Sequence, residues 1–214
     1  SMKICYYSCF SVFGGIEKII IDTLKKISKK NECCLIVPNG CEFKEKLSKE
    51  VKVIEYKSYD KRYNPFLYLE VFKTIKEYDI IHTHGAKATQ ITYLLGKVYP
   101  FSHIATKHNT RKGKVFNRVK NVISVSNEVA KTITHSSEVL YFGINIKELE
   151  VKKNDIFTIT TIGRLDPIKG FDNLIREVSK LDFNFHLNII GEGLQRKELE
   201  SLIEKNNLKD KVFL

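Results

Sequence analysis

No apolar run in this sequence approaches the roughly 18 residues that a membrane-spanning helix needs, so no segment is expected to cross a bilayer. The opening stretch Met2–Phe10 is too short, and the chain too polar beyond Phe13, to read as a secretory signal. Ser1 ahead of Met2 reads as a scar of cloning and is set aside. Only four Pro and eleven Gly are present, which excludes collagenous and low-complexity classes. Cysteine is scarce and uneven: all five (Cys5, Cys9, Cys33, Cys34, Cys41) fall in the first fifth of the chain. A disulfide scaffold would spread an even number over a smaller domain, so these thiols are expected to be reduced and buried. Adjacent cysteines face opposite sides of a strand, so Cys33 and Cys34 are not expected to chelate one ion together. A soluble, intracellular protein is the expectation.

The composition that remains is globular, 43% hydrophobic and 29% charged over 214 residues, which excludes wholesale disorder. The length suits one large α/β domain, or a full domain plus part of another. Charge is distributed unequally. Residues 1–150 hold 25 Lys and Arg against 15 Asp and Glu, whereas residues 151–214 hold 11 against 10. The basic excess peaks at Lys107, Arg111, Lys112, Lys114, Arg118 and Lys120, a stretch without one acidic residue. Such a face suits a phosphate-rich partner, whether nucleic acid, anionic membrane or a phosphorylated small molecule. Only Phe116 lies among these cations, so the aromatic interleaving of a single-strand nucleic-acid binder is absent.

Strand-like runs alternate with helical stretches, the signature of βαβ units around a parallel sheet. Strands are expected at Lys3–Cys9, Cys33–Val37, Val51–Tyr56, Asp79–Thr83, His103–Lys107, Asn121–Val125 and Val139–Phe142. Helices are expected over Ile16–Lys30, from Pro65 to Glu77, over Ala86–Val98, and over Asn127–Ile133 with Ser126 as cap. The polar stretch Gly143–Asp155 reads as a linker. A second unit then begins: strand Ile156–Ile162, helix Gly170–Lys180, strand Phe185–Ile190, helix Leu194–Asn206 and strand Lys211–Leu214. The expected domains are residues 1–148, a doubly wound Rossmann-like sheet, and residues 155–214, the first part of a second one. The chain is expected to be cut within that second domain, with Lys211–Leu214 as an open edge available for dimer pairing.

Chemistry is expected where strands end. Gly14-Gly15, between the first strand and a helix, is either a tight turn or a cradle of bare amides for a phosphate. It matches neither the Gly-x-Gly-x-x-Gly nor the Walker spacing. Gly163-Arg164-Leu165-Asp166-Pro167-Ile168-Lys169-Gly170 places a guanidinium and an ammonium at the carboxyl end of a strand, where doubly wound sheets bind ligands. Two cations there suit a diphosphate, and Gly191-Glu192-Gly193 after the next strand permits close backbone approach. His82 and His84 share one strand face, and His108 ends another strand beside the basic cluster.

These motifs, in this order along the whole chain, resemble the retaining GT-B glycosyltransferases of family 4. They are Gly14-Gly15-Ile16-Glu17, Asp79–His84, Thr106-Lys107-His108, Val125-Ser126, Gly163-Arg164-Leu165…Lys169-Gly170 and Gly191-Glu192-Gly193. The resemblance implies an N-terminal domain for the acceptor and a C-terminal domain for a nucleotide-sugar donor, with no metal ion and no cofactor. It implies catalytic roles for His108, Arg164 and Lys169. It implies donor contacts from Gly14, Gly15, Gly163, Arg164, Lys169, Gly191 and Glu192. His84, Arg111, Lys112, Lys114 and Arg118 are assigned to the acceptor or membrane side. The expected acceptor is lipid-linked or a saccharide of bacterial surface glycan synthesis, handled from the cytoplasm at the inner face of the membrane. Two departures stand out. Phe142-Gly143-Ile144-Asn145 replaces the family's Asn-Gly-Ile-Asp, and its pair of donor-binding glutamates would lie beyond Leu214, so the 214 residues alone are expected to be inactive. A non-enzymatic anion- or membrane-binding module and a GT-B sugar-nucleotide epimerase are the competing readings.

Overall fold

The structure, a computed structural model, describes residues 1–10, 14–143 and 155–214. It divides into two compact units, Ser1–Asn145 and Ile146–Leu214. Most of the proposed linker Gly143–Asp155 lies outside the described residues.

In the first unit seven strands are β1 (Lys3–Ser8), β2 (Glu32–Pro38), β3 (Val51–Tyr56), β4 (Ile80–His84), β5 (Ser102–Lys107), β6 (Asn121–Ser124) and β7 (Glu138–Val139). They form one sheet in the order β3-β2-β1-β4-β5-β6-β7, every neighbouring pair parallel. The order reverses between β1 and β4, and open α/β sheets leave a crevice for ligands outside the strand ends at that point. The helices are α1 (Gly15–Ile27), α2 (Pro65–Ile75), α3 (Ala86–Leu95) and α4 (Asn127–Ala130).

Alternation along β1 and β2 builds the two faces. Cys5, Tyr7, Cys34 and Ile36 pack with Leu67, Val71 and Ile75 of α2 and Ile91 of α3. Ile4, Tyr6, Cys33 and Leu35 pack with Ile20 and Leu24 of α1. Cys33 and Cys34 therefore point to opposite faces, and all five cysteines are free. Burying each such Leu, Ile or Val withdraws enough apolar area to contribute about 1.5–3 kcal/mol. At the start of α2, Pro65 occupies the first turn and the Asn64 side chain accepts from the Phe66 amide at 3.1 Å. The Ser126 hydroxyl likewise accepts from the Val129 amide at 3.2 Å.

Several expected elements are shorter than the sequence suggests, and three of them lose about half of their length. The strand expected over Val139–Phe142 pairs only at Glu138–Val139, because β6, its one neighbour, ends at Ser124. The Asn127–Ile133 helix is a single α-helical turn, with Thr132 Oγ1 bonding back to the Val129 carbonyl at its end. The last strand of the chain covers Val212–Phe213 rather than Lys211–Leu214.

The second unit holds β8 (Phe157–Ile162), α5 (Phe171–Val178), β9 (Phe185–Ile190), α6 (Arg196–Lys205) and β10 (Val212–Phe213). Its sheet runs β10-β9-β8, also parallel. Its core joins Leu165, Phe171, Ile175, Leu187, Ile189, Leu199 and Ile203.

Candidate active site

In the first unit the carboxyl ends of β1, β4 and β5 converge on a cavity of about 290 Å³. Among its lining residues are Cys9, Phe10, His84, Gly85, Lys87, Lys107, His108, Arg111 and Lys112. The cavity thus sits where the strand order reverses. Gly85 follows β4 with φ +88, a conformation only glycine adopts without strain, and a Cβ there would meet the Phe10 ring at 3.0 Å.

The parity of β4 directs its histidines. His82 pairs with Tyr6, and His84 with Ser8, so both side chains lie on the α1 face together with Thr106. His82 stacks on His84 with centroids 4.5 Å apart, and His84 on His108 at 5.2 Å. His84 Nδ1 and His108 Nε2 share a hydrogen bond of 2.9 Å. His82 Nε2 lies 2.5 Å from the Thr106 hydroxyl, and Tyr6 packs edge-on against His82. On the opposite face His103 Nε2 bonds the Thr83 hydroxyl at 2.8 Å. Burial removes the water that would stabilise an imidazolium. It holds His82 down to about 3, and His103 and His108 down to about 4, with His84 well below its ordinary value. At neutral pH the group is a stack of uncharged imidazoles, able to donate or accept hydrogen bonds.

A single shared proton fixes the tautomers of the His84–His108 pair. His84 Nε2 is buried without a partner. An orphaned acceptor costs less than an orphaned buried N–H, so Nδ1 of His84 carries the proton and donates to His108 Nε2. His108 is then left with its own proton on Nδ1.

His84, assigned to the acceptor or membrane side, is only 1% exposed and contributes to the cavity wall. Lys107, counted within the basic cluster, is 2% exposed because strand β5 carries it inward. Its ammonium donates to the Thr132 hydroxyl at 2.6 Å and lies 5.6 Å from the Phe116 ring centre, and desolvation lowers its pKa. Arg111 and Lys112 line the cavity, whereas Lys114 and Arg118 are exposed in and after the 3₁₀ turn Lys114–Asn117. Two further lining cations, Arg62 and Lys87, carry no motif signal and were not anticipated; Lys87 is paired with Asp60 at 2.8 Å. Gly14 is the N-cap of α1 and Gly15 its first residue, next to the lining residue Ile16.

In the second unit the turns after β8 and β9 run side by side. The amide of Gly163 donates to the Ile190 carbonyl at 3.0 Å and that of Leu165 to the Glu192 carbonyl at 2.9 Å. The two backbones are so close that a Cβ on Gly191 would collide with the Gly163 carbonyl oxygen. Glycine is therefore a packing requirement at this point of the Gly-x-Gly turn. Arg164 stands 83% exposed with its Nε 3.7 Å from Asp166, and Lys169 is exposed at the end of the turn Pro167–Lys169. Glu192 is exposed and paired with Arg196 at 3.4 Å. Arg164, Lys169 and Glu192 thus stand on the loops that leave the carboxyl ends of β8 and β9. His108, Gly14 and Gly15 belong to the first unit.

Comparison with known proteins gives a consistent picture. Residues 143–214 match the family profile described as glycosyl transferases group 1. An uncharacterized glycosyltransferase of Methanocaldococcus jannaschii is 30% identical over 148 residues, 61% of this chain and 41% of that protein. The N-acetylgalactosamine-N,N'-diacetylbacillosaminyl-diphospho-undecaprenol 4-alpha-N-acetylgalactosaminyltransferase of Campylobacter jejuni is 30% identical over 128 residues, 57% of this chain and 32% of that protein. The chain thus spans well under half the length of these relatives. Among solved structures, Anabaena HepE in complex with UDP superimposes with a TM-score of 0.79 at 21% identity, over 100% of this chain and 69% of that one. The apo lipopolysaccharide outer core galactosyltransferase WaaB gives 0.73 at 18% identity, over 99% and 67%. The fold is of the GT-B type, with two Rossmann-like units.

Proposed function

We propose, from the match of residues 143–214 to the glycosyl transferases group 1 profile, that the whole protein moves a sugar from a nucleotide-sugar donor to an acceptor hydroxyl. The observation that carries the reading is the pair of interlocked glycine turns in the second unit. Gly163 and Gly191 bring bare backbone to the end of β8, and Arg164 and Lys169 stand exposed on the same loop, with Asp166 as the one ion-pair partner of Arg164 among the described residues. A departing nucleoside diphosphate gains charge as the glycosidic bond breaks, and fixed cations at that position lower the barrier electrostatically. His108, uncharged and hydrogen-bonded through His84, would serve the sugar or acceptor hydroxyl as a neutral polar partner. The transfer is taken to retain anomeric configuration and to need no metal ion, the acceptor attacking from the side of the departing phosphate.

The acceptor is proposed to be lipid-linked or a saccharide of surface glycan synthesis. The Campylobacter relative is named for a diphospho-undecaprenol-linked acceptor, and a relative from Rhizobium meliloti for lipopolysaccharide core biosynthesis. No helix among the described residues is long and apolar enough to cross a membrane. Peripheral attachment to an anionic membrane from the cytoplasm, with exposed Lys114 and Arg118 contributing, completes the proposal.

Arg164→Ala and Lys169→Ala in the full-length enzyme test the reading by kcat/KM with one donor. Loss of either cation is expected to cost about 2–4 kcal/mol, the effect of deleting one oxyanion donor. Activity within threefold of wild type in both variants would remove the diphosphate role.

A further inference from the structure

Two side-chain hydrogen bonds tie β4 to β5 and its end, and both run diagonally. The parallel register sets His82 opposite Ile104 and His84 opposite Thr106, yet each histidine bonds the side chain two residues further along. His82 Nε2 meets the Thr106 hydroxyl, and His84 Nδ1 meets His108 Nε2 at 2.9 Å. The histidine run of β4 and the Thr106-Lys107-His108 end of β5 are therefore one physical unit, joined twice.

His84 is the enclosed member of that unit. Its ring stacks on His82 at 4.5 Å and on His108 at 5.2 Å, Tyr6 lies 5.1 Å away, and only 1% of the residue is exposed. A ring held on three sides keeps one orientation, and the buried, unpartnered Nε2 leaves Nδ1 as the place for its proton. The consequence falls on His108. A neutral imidazole has one lone pair and one N–H. The lone pair of His108, on Nε2, receives the His84 proton, so its own N–H is on Nδ1. That Nδ1 makes no hydrogen bond among the described residues, and His108 stands half-buried in the cavity wall.

We propose that His84 is a positioning residue for sugar transfer: it occupies the one lone pair of His108, so that His108 meets the substrate as a hydrogen-bond donor through Nδ1 and cannot act as the base. The inference rests on the transferase reading and deepens it. In the transfer the acceptor oxygen bonds the anomeric carbon as the bond from that carbon to the diphosphate breaks. The acceptor proton then passes to the departing diphosphate oxygen, because His108 has no free lone pair to receive it. His82, fixed by Thr106, is the shelf on which the His84 ring lies.

The test reads the ring protons directly. Long-range proton–nitrogen spectra of the histidine-labelled chain at neutral pH separate an imidazole protonated at Nδ1 from one protonated at Nε2, with His108→Gln used to assign the signals. Wild-type His108 is expected in the Nδ1–H form. His84→Phe keeps an aromatic ring in the stack but offers no donor, so His108 should shift to the Nε2–H form or a mixture. His84→Asn returns an N–H where Nδ1 stood and should restore the wild-type tautomer. In the full-length enzyme His84→Phe should lower kcat/KM about tenfold or more, the scale of one lost orienting hydrogen bond, and His84→Asn should recover most of it. Wild-type His108 protonated at Nε2 would overturn the proposal without any variant. So would a His84→Phe variant that keeps the Nδ1–H form, one that changes tautomer yet keeps kcat/KM within threefold, or an Asn variant no more active than the Phe one. The tautomer measurements require no turnover, so failure there is separable from failure of the transferase reading.

Discussion

Mild acid should destabilise the first unit, and the buried histidines set the size of the effect. His82 and His103 are held neutral at about 3 and about 4, against about 6.5 in an unfolded chain. Their folded pKa values are depressed, so the unfolded state takes up protons first as pH falls through 6.5. Stability is fully present above that value and declines as pH drops toward 4. Between pH 7 and pH 5 each of these two histidines costs about 2 kcal/mol, hence about 4 kcal/mol for the pair. The stacked His84–His108 pair adds in the same direction, titrating as a unit. Domains of this kind are typically stable by about 5–15 kcal/mol, so the loss is a large share. The carboxylates with lowered pKa, Glu55 and Glu70, lose their contributions as pH falls from the ordinary carboxylate value toward their lowered ones, below this window. The chain has no tryptophan, so urea unfolding at pH 7 and pH 5 is followed by circular dichroism. Replacing both histidines, His82→Gln with His103→Gln, should flatten the pH dependence by about 4 kcal/mol. A wild-type difference below about 1 kcal/mol, or an unchanged slope in the double variant, would show that the imidazoles are not held neutral by burial.

Two other substitutions separate packing from charge. Gly191→Ala should destabilise the second unit by about 1–3 kcal/mol or more in thermal unfolding, because its methyl would drive into the Gly163 backbone. At Gly15→Ala nothing lies within 4 Å, and the change should stay within about 0.5 kcal/mol. Lys107→Met should leave stability unchanged or raise it, since a buried ammonium that faces a hydroxyl and the Phe116 ring, with no ion-pair partner among the described residues, is replaced by an apolar chain of similar length. A loss of more than about 2 kcal/mol in urea would instead mean that the Thr132 contact is strongly stabilising.

The sequence was legible wherever local pattern and tertiary context agree. The run Asp79–His84 reads as a strand with both histidines on one face, and register places them there beside Tyr6 and Ser8. Pro65 after Asn64 reads as a helix start, and both the proline position and the cap bond are present. Agreement is weaker where an element's length depends on its neighbour. Strand β7 stops at Val139 because β6 stops at Ser124, a limit that nothing in Val139–Phe142 itself encodes. Charge was the least legible property. Lys107 looks like one more cation in a basic run, yet the pleat of β5 turns it inward. Arg62 and Lys87 reach the cavity from the loop before α2 and the first turn of α3, which are 25 residues apart and linked only by the fold.

The second unit repeats half of the first one's strand order, and the repetition has a measurable consequence. In the first sheet β1 pairs with β2 on one side and β4 on the other. In the second, β8 pairs with β9 alone among the described residues, and Phe157 and Ile162 at its two ends are 62% and 78% exposed. The expected open edge, β10, is two residues long, whereas the free edge of β8 is six. Long apolar edges are the ones that recruit another strand, so β8 rather than β10 is the edge where a further strand, of the same protein or of a second copy, would add. The turn bearing Arg164 and Lys169 leaves the end of this same strand. Hydrogen exchange of the dilute chain should therefore divide the β8 amides into two classes: alternate ones bonded to β9 and slow, the rest fast. Those of β1, bonded on both sides, should all be slow. Uniform protection along β8 in dilute solution would mean that the edge is covered and the argument fails. Protection that grows with concentration, matched by a rise in sedimentation coefficient, is the result expected if a second copy pairs there.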